Sequence, residues 1–356
     1  MTPAAFAVPG DITLPTGGYA YARRLLALLP AHGVDVEHVP LPDGFPDPSA
    51  CELRKAERAL GAIGRKVALI DGLAYGALPA PLLSALQAPI VALVHHPLCL
   101  EAGLSAARQA ALHARERTAL ARARHVLVTS ETTARTLAQQ FAVPAARITV
   151  AEPGTDPAPR AHGSGGDALQ LLAVGAIVPR KAHAILVRAL APLARHRWQL
   201  TIAGPTDRSR EALHALQQAI DAAGLRSRIR LVGPVTPGRL AQFYATADAF
   251  IMPSLYEGYG MVLGEAMARG LAIVCTTGGA AAATVPDGAA LKVPPGEVPA
   301  LTAALERVLT EPALRAALAD AAWDAGQRLP RWEHTAGRVA AVIRDVADAA
   351  CLGARP

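Results

Sequence analysis

Glu257 and Glu265 stand eight residues apart in Pro253-Ser-Leu-Tyr-Glu257-Gly258-Tyr259-Gly260-Met-Val-Leu-Gly264-Glu265, directly after the apolar run Ala249–Met252. Two carboxylates across a strand–loop–helix junction can grip one elongated polar ligand. Glu265 could accept two vicinal hydroxyls of a ribose, and Glu257 the hydroxyls of a second sugar. Gly258 and Gly260 let backbone N–H groups approach a ligand closely. A helix opening near Met261 adds a dipole that favours an anion. The bland alternative is a pair of solvated glutamates, since carboxylates are usually exposed. Glu265 argues against it, because it lies among Leu263, Gly264, Ala266 and Met267 in a helix that otherwise reads as buried.

A second cluster is Val174-Gly175-Ala176-Ile177-Val178-Pro179-Arg180-Lys181, another strand running into a predicted helix. Arg180 offers a bidentate fork and Lys181 a point charge, a combination suited to a diphosphate. Cations are disfavoured at a helix start unless an anion sits there, which itself argues for a phosphate. Such a pair would neutralise a leaving nucleotide diphosphate as its bond breaks.

Gly17-Gly18 and His95-His96 are weaker signals. A Gly pair is more often just a turn. Adjacent residues on an extended chain point to opposite faces, so one of His95 and His96 faces a site and pattern alone does not choose between them. The sequence contains no Asp-x-Asp, and no metal site or cofactor is expected. Ser130 or Thr129 reads as a helix N-cap.

These residues need a scaffold. Short apolar runs alternate with helical patterns throughout, the rhythm of a parallel α/β sheet covered on both faces. Strands are expected at 5–8, 34–39, 67–70, 90–94, 126–129 and 148–151, and again at 169–174, 199–203, 229–232, 249–252 and 273–276. Between the two series lies a Gly-, Pro- and Ser-rich stretch that reads as an exposed linker, with Glu152–Asp156 as a hinge. The chain therefore reads as α/β, with two Rossmann-like domains facing a cleft. The expected boundaries are 1–160 and 161–333. A final helix, 334–356, is expected to pack back toward the first domain. Ligands of such sheets bind outside the carboxyl ends of the strands.

Composition agrees. The 356 residues are 52% hydrophobic, enough for two cores, and only 4% aromatic, so Ala, Leu and Val must fill them. Cys51, Cys99, Cys275 and Cys351 are scattered, as expected of reduced thiols in a cytoplasmic protein. The N-terminus shows no signal-peptide pattern, and no apolar run reaches membrane-spanning length. The net charge of +6 is spread out, which disfavours nucleic acid. The arginine-bearing segment 105–124 leaves a peripheral contact with the inner face of a membrane open, although a solvated face is the simpler reading.

The first segment resembles the EX7E motif of family 4 retaining glycosyltransferases, a resemblance strongest in the second half of the chain. It implies the GT-B fold and transfer of a sugar from a nucleotide diphosphate-sugar to an acceptor that the sequence does not name. It makes 1–160 the acceptor-binding domain and 161–333 the nucleotide-sugar-binding domain, and it places Glu257 at the donor sugar, Glu265 at the nucleotide ribose, and Gly258, Tyr259 and Gly260 at the donor. Arg180-Lys181 is similar to the family's diphosphate loop, with Ala176 where Arg is common and Ala182 where Gly is usual. Gly17-Gly18 resembles the N-terminal glycine loop at the donor phosphates, and a His at the 95–96 position contacts donor or acceptor. Gly278-Gly279 fits the family's Gly pair, but residues 280–283 are all Ala where an acidic residue is usual. That departure implies a loss of stability or local order. It also supports an alternative, a nucleotide-sugar-binding scaffold with a degenerate site. A phosphorylase-like or hydrolytic two-domain enzyme is the other alternative.

Overall fold

The computed structural model describes residues 1–353, and the chain forms two compact units. The first comprises Met1–Gly154 and the segment from Pro330 onward, and the second comprises Thr155–Leu329.

The first unit is built on a six-stranded sheet: β1 (Thr2–Pro9), β2 (Val34–Leu41), β3 (Val67–Asp71), β4 (Ile90–Val94), β5 (His125–Val128) and β6 (Ile148–Val150). Every pairing is parallel, in the order β2-β1-β3-β4-β5-β6. β3 and β4 are buried at every position, which explains why they read as continuous apolar runs instead of alternating. From β1 the chain steps outward to β2, then returns to the other side of β1 for β3. The switch point therefore lies between β1 and β3, and the crevice beyond their carboxyl ends is where such sheets take ligands. The final helix, Trp332–Gly353, packs on this unit: Thr335 donates to the carbonyl of Glu152 at 2.7 Å, and the Trp332 ring meets Tyr21 edge-on at 5.6 Å.

The second unit repeats the architecture with β7 (Leu169–Val174), β8 (Trp198–Ala203), β9 (Ile229–Gly233), β10 (Ala249–Met252), β11 (Ala272–Thr276) and β12 (Ala290–Val293). All are parallel, in the order β12-β11-β10-β7-β8-β9. β12 had no counterpart among the expected strands. Its Ala290-Leu-Lys-Val293 sequence is short, only partly buried and interrupted by a charge, so it carries no periodic signal. The switch point here lies between β7 and β10, whose register pairs Leu171 with Ala249.

The Gly-, Pro- and Ser-rich stretch is irregular and largely exposed, as expected, but it is tied to the second unit. Residues 160–164 lie along the second unit: Ala161 N–H donates to the Arg269 carbonyl at 2.8 Å, His162 N–H to that of Ala245 at 3.0 Å, and Ser164 N–H to Asp248 at 3.1 Å. An irregular segment that finds backbone partners does not need water to satisfy them, so composition alone overstated its freedom.

Candidate functional site

In the second unit the switch point brings the two predicted clusters together. After β7 the chain turns at Gly175 and enters a 3-10 turn, Pro179–Lys181, and the α-helix begins only at His183. Arg180 and Lys181 thus precede the helix instead of opening it. Between them, Ala182 adopts φ 52°, the left-handed region. This is the position where Gly would sit without strain, and Ala holds it at a cost.

Across the switch point, β10 delivers Pro253–Tyr256 and then Glu257. The Leu255 N–H donates to the Arg180 carbonyl at 2.7 Å, which ties the two loops at the backbone. Arg180 returns with Nη1 to the Tyr256 carbonyl at 2.7 Å and lies 3.2 Å from Glu257 Oε2. Lys181 Nζ donates to Glu257 Oε1 at 2.7 Å. Glu257 is 5% exposed. Burial pushes its carboxyl up, but Lys181 and Arg180 outweigh burial and hold it at about 2. Two cations before a helix signal phosphate in the sequence. In the folded chain the anion beside them is the buried Glu257, and the three charges form one largely buried cluster.

The Glu257 backbone is gripped as closely. Gly279, at φ 65°, bridges to it: the Ala280 N–H donates to the Glu257 carbonyl at 2.7 Å, and a Cβ on Gly279 would stand 2.3 Å from that oxygen. Gly258 is buried, and Gly260, at φ 90°, caps the helix Met261–Met267. Tyr259 is buried too. Its carbonyl accepts from the Thr284 hydroxyl at 2.6 Å, so its main chain secures the loop. Residues 280–283, where the acidic residue is missing, run into regular structure. Ala281–Thr284 forms a helical turn, and Lys292 bridges the Ala282 carbonyl at 2.8 Å and Asp287 at 2.7 Å.

Glu265, on the helix Met261–Met267, is partly buried. Its Oε2 accepts from the Tyr244 hydroxyl at 2.9 Å, and Arg269 Nη1 donates to its main-chain carbonyl at 2.9 Å. Burial pushes this carboxyl up, the Tyr244 bond and Arg269 pull it down, Asp156 pushes it up again, and the net direction is upward. Tyr244 had no sequence signal: at the end of a Leu- and Phe-bearing helical pattern it reads as core, and only the fold reveals its hydroxyl partner.

In the first unit Gly17 and Gly18 open the helix Gly17–Leu28, with Thr16 as N-cap. A Cβ on Gly18 would lie 3.6 Å from His95 Nε2, so this glycine and His95 are neighbours beyond the strand ends. His95 Nε2 is 3.4 Å from Asp71 Oδ2, and its ring stands edge-on to Tyr21 at 5.4 Å. The Thr129 hydroxyl fixes its carbonyl at 3.2 Å. His96 turns the other way and sits 3.2 Å from Glu101. His95 is therefore the member of the pair beside the glycine loop. Asp71, at the end of β3, was not anticipated. Its Oδ1 caps the following turn at Leu73 N–H at 2.9 Å, so sequence shows a helix cap and hides the carboxylate–imidazole contact. Ser130 is the N-cap of Glu131–Gln140, accepting from Thr133 N–H at 3.1 Å. Among the described residues, no cluster of three or more His, Cys, Asp or Glu side chains could hold a metal ion.

Two family descriptions match the chain: Glycosyltransferase Family 4 over residues 12–159, and Glycosyl transferases group 1 over residues 168–311. The chain belongs to the group 1, family 4 glycosyltransferases. Within that family it is 32% identical over 214 residues to a D-inositol 3-phosphate glycosyltransferase of Thermomonospora curvata, a match covering 57% of this chain and 49% of the relative. It is 30% identical over 237 residues to the enzyme of that name from Kribbella flavida, covering 62% and 56%. The chain thus spans about half the length of the curated relatives it matches. In fold it is similar to sucrose-phosphate synthase from Thermosynechococcus elongatus, at a TM-score of 0.85 and 24% identity, covering 98% of this chain and 100% of that one. It is also similar to Anabaena HepE in complex with UDP and glucose, at 0.75 and 17%, covering 97% and 100%. These likenesses agree with the GT-B fold class, two Rossmann-like units each built on a parallel sheet. No helix among the described residues is long and apolar enough to cross a membrane.

Proposed function

We propose that this family 4 chain is a retaining glycosyltransferase that moves a sugar from a nucleotide diphosphate-sugar to an acceptor hydroxyl without a metal ion. The observation that carries the reading is the Arg180–Lys181–Glu257 cluster at the β7/β10 switch point, with Glu265 on the helix that follows. The Lys181 ammonium has three N–H donors and gives one to Glu257, so it can meet a diphosphate oxygen while still paired. Arg180 adds a second positive charge beside it. Two cations provide for the diphosphate the charge compensation that a divalent metal provides elsewhere.

In this reading the bond between the anomeric carbon and the diphosphate oxygen breaks while the acceptor oxygen bonds the same face of that carbon. The acceptor proton passes to the departing diphosphate. Glu257, ionised across the physiological range, faces the positive charge developing on the sugar. Glu265 accepts from the ribose hydroxyls. Gly17, Gly18 and His95 form the corresponding polar end of the first unit. HepE is described in complex with UDP and with UDP-glucose, which makes a uridine donor the first to try. A cytoplasmic location belongs to the same proposal.

The test is a thermal-shift series with UDP, GDP, ADP and TDP, each with and without EDTA. Binding at one hundred times the dissociation constant adds about 2.7 kcal/mol of stability. One nucleotide stabilising the protein equally with and without EDTA supports the reading and selects the donor for turnover assays. No shift with any nucleotide overturns it.

A further inference from the structure

Glu265 does not stand alone in its helix. The Tyr244 phenol is fully buried at the end of the helix Pro237–Thr246, and its ring is stacked on Phe250 of β10 at 5.8 Å between centroids. The Arg269 guanidinium also lies over the ring, 4.6 Å from its centroid, while donating to the Glu265 main chain. Full burial and these two ring contacts hold the phenol in place. Its hydroxyl sits 2.9 Å from Glu265 Oε2, and it is the only side chain among the described residues that hydrogen-bonds this carboxylate. Oε1 is left to other donors.

We propose that Tyr244 is a positioning residue of the nucleotide site: its immobilised hydroxyl holds Glu265 by Oε2 and keeps the carboxylate oriented and ionised for ribose hydroxyls. This rests on Glu265 being the ribose ligand. An ionised carboxylate accepts from hydroxyls more strongly than a protonated one, which has turned one oxygen into a donor and lost the charge. The charged groups facing Glu265 are Arg269, from the end of its own helix, and Asp156, from the segment entering the unit, with Tyr244 from the neighbouring helix. Burial and Asp156 favour the protonated acid; Tyr244 and Arg269 favour the carboxylate. Removing the phenol hydroxyl shifts this balance toward the acid.

The experiment is calorimetric titration of the full chain with UDP, or with whichever of GDP, ADP and TDP binds best, at intervals from pH 5.5 to 8.5. Wild type, Tyr244→Phe and Glu265→Gln are compared. Phe keeps the ring between Phe250 and Arg269. The expected result is that Tyr244→Phe weakens binding about threefold at pH 8.5 and more than tenfold at pH 6. The midpoint of its pH dependence should be displaced upward, and Glu265→Gln should be weak and flat across the range. The carboxyl carbon resonance of Glu265, followed by NMR in wild type and Tyr244→Phe and identified by its loss in Glu265→Gln, should titrate at higher pH in the variant. Wild-type affinity at every pH in Tyr244→Phe, or a loss of equal size throughout, overturns the inference while leaving the donor site in place. If Tyr244→Phe does not fold, a wild-type Glu265 that is still protonated at pH 7 overturns it instead, and one ionised there supports it. Failure of the wild-type protein to bind any of the four nucleotides removes the donor site, and the inference with it.

Discussion

Lys181 Nζ lies 2.7 Å from Glu257 Oε1, joining two side chains 76 positions apart that are 15% and 7% exposed. The contact spans the seam between β7 and β10, and Arg180 closes it from the other oxygen at 3.2 Å. The carboxylate expected at a donor sugar is thus the counter-ion of the cations expected at its diphosphate.

This coupling sets an acid limb in the stability profile. Glu257 titrates at about 2 in the fold, against an ordinary 4.5. The stabilisation is complete above pH 4.5 and is lost as pH falls toward 2; by linkage it amounts to about 3 kcal/mol. Glu257→Gln should remove that limb in acid titrations followed by circular dichroism. It should also lower stability at pH 7 by roughly 3 kcal/mol, because two buried cations lose their partner.

The same variant separates binding from chemistry. Removing the carboxylate raises the positive potential around Arg180 and Lys181, so Glu257→Gln should bind a nucleoside diphosphate at least as tightly as wild type. Sugar transfer should fall by about a hundredfold or more if Glu257 supports the transition state. Weaker nucleotide binding in this variant would show that the carboxylate arranges the cations instead of competing for them.

Ala182 offers a test of local strain. An Ala at φ 52° costs roughly 1–2 kcal/mol, and Gly recovers part of this against its own entropy in the unfolded chain. Ala182→Gly should stabilise the protein by about 0.5–1 kcal/mol in denaturant melts, and a destabilised variant would contradict the strain.

Glu116 should produce the opposite limb at neutral pH. It is 1% exposed in the helix Ala106–Arg122, and its Oε2 accepts from Leu98 N–H at 2.9 Å in the turn after His95-His96. Burial pushes it up to about 8, with the Leu98 bond pulling the other way. An acid raised in the fold is stable protonated, so stability should decline as pH rises from about 5 through 8, by on the order of 5 kcal/mol. Glu116→Gln should abolish that decline, as read by melting temperature across the range.

The two histidines should differ as their surroundings do. His95→Ala removes the group between Gly18 and Asp71 and should lower transfer about tenfold or more, the loss of one hydrogen bond to a charged or polar ligand group. His96→Ala breaks only the contact with Glu101 and should stay within about threefold of wild type.

What the sequence alone determined is what local pattern encodes. Continuous apolar runs between helical periods required parallel strands buried on both faces, and eleven of the expected strand positions recur with shifts of at most a few residues at their ends. The strand–loop–helix setting of Glu257 and Glu265 was legible because their spacing lies within one βα unit. Tertiary structure alone decided which distant residues meet. The strand order put β7 beside β10, so Glu257 answers the charge of Arg180 and Lys181. It also chose His95 over His96, gave Asp71 a second contact beyond its cap, and aimed the Tyr244 hydroxyl at Glu265. Periodicity reports which face of an element is buried; it carries no record of which strand lies next to which, and the partner of a buried charge depends on that neighbour.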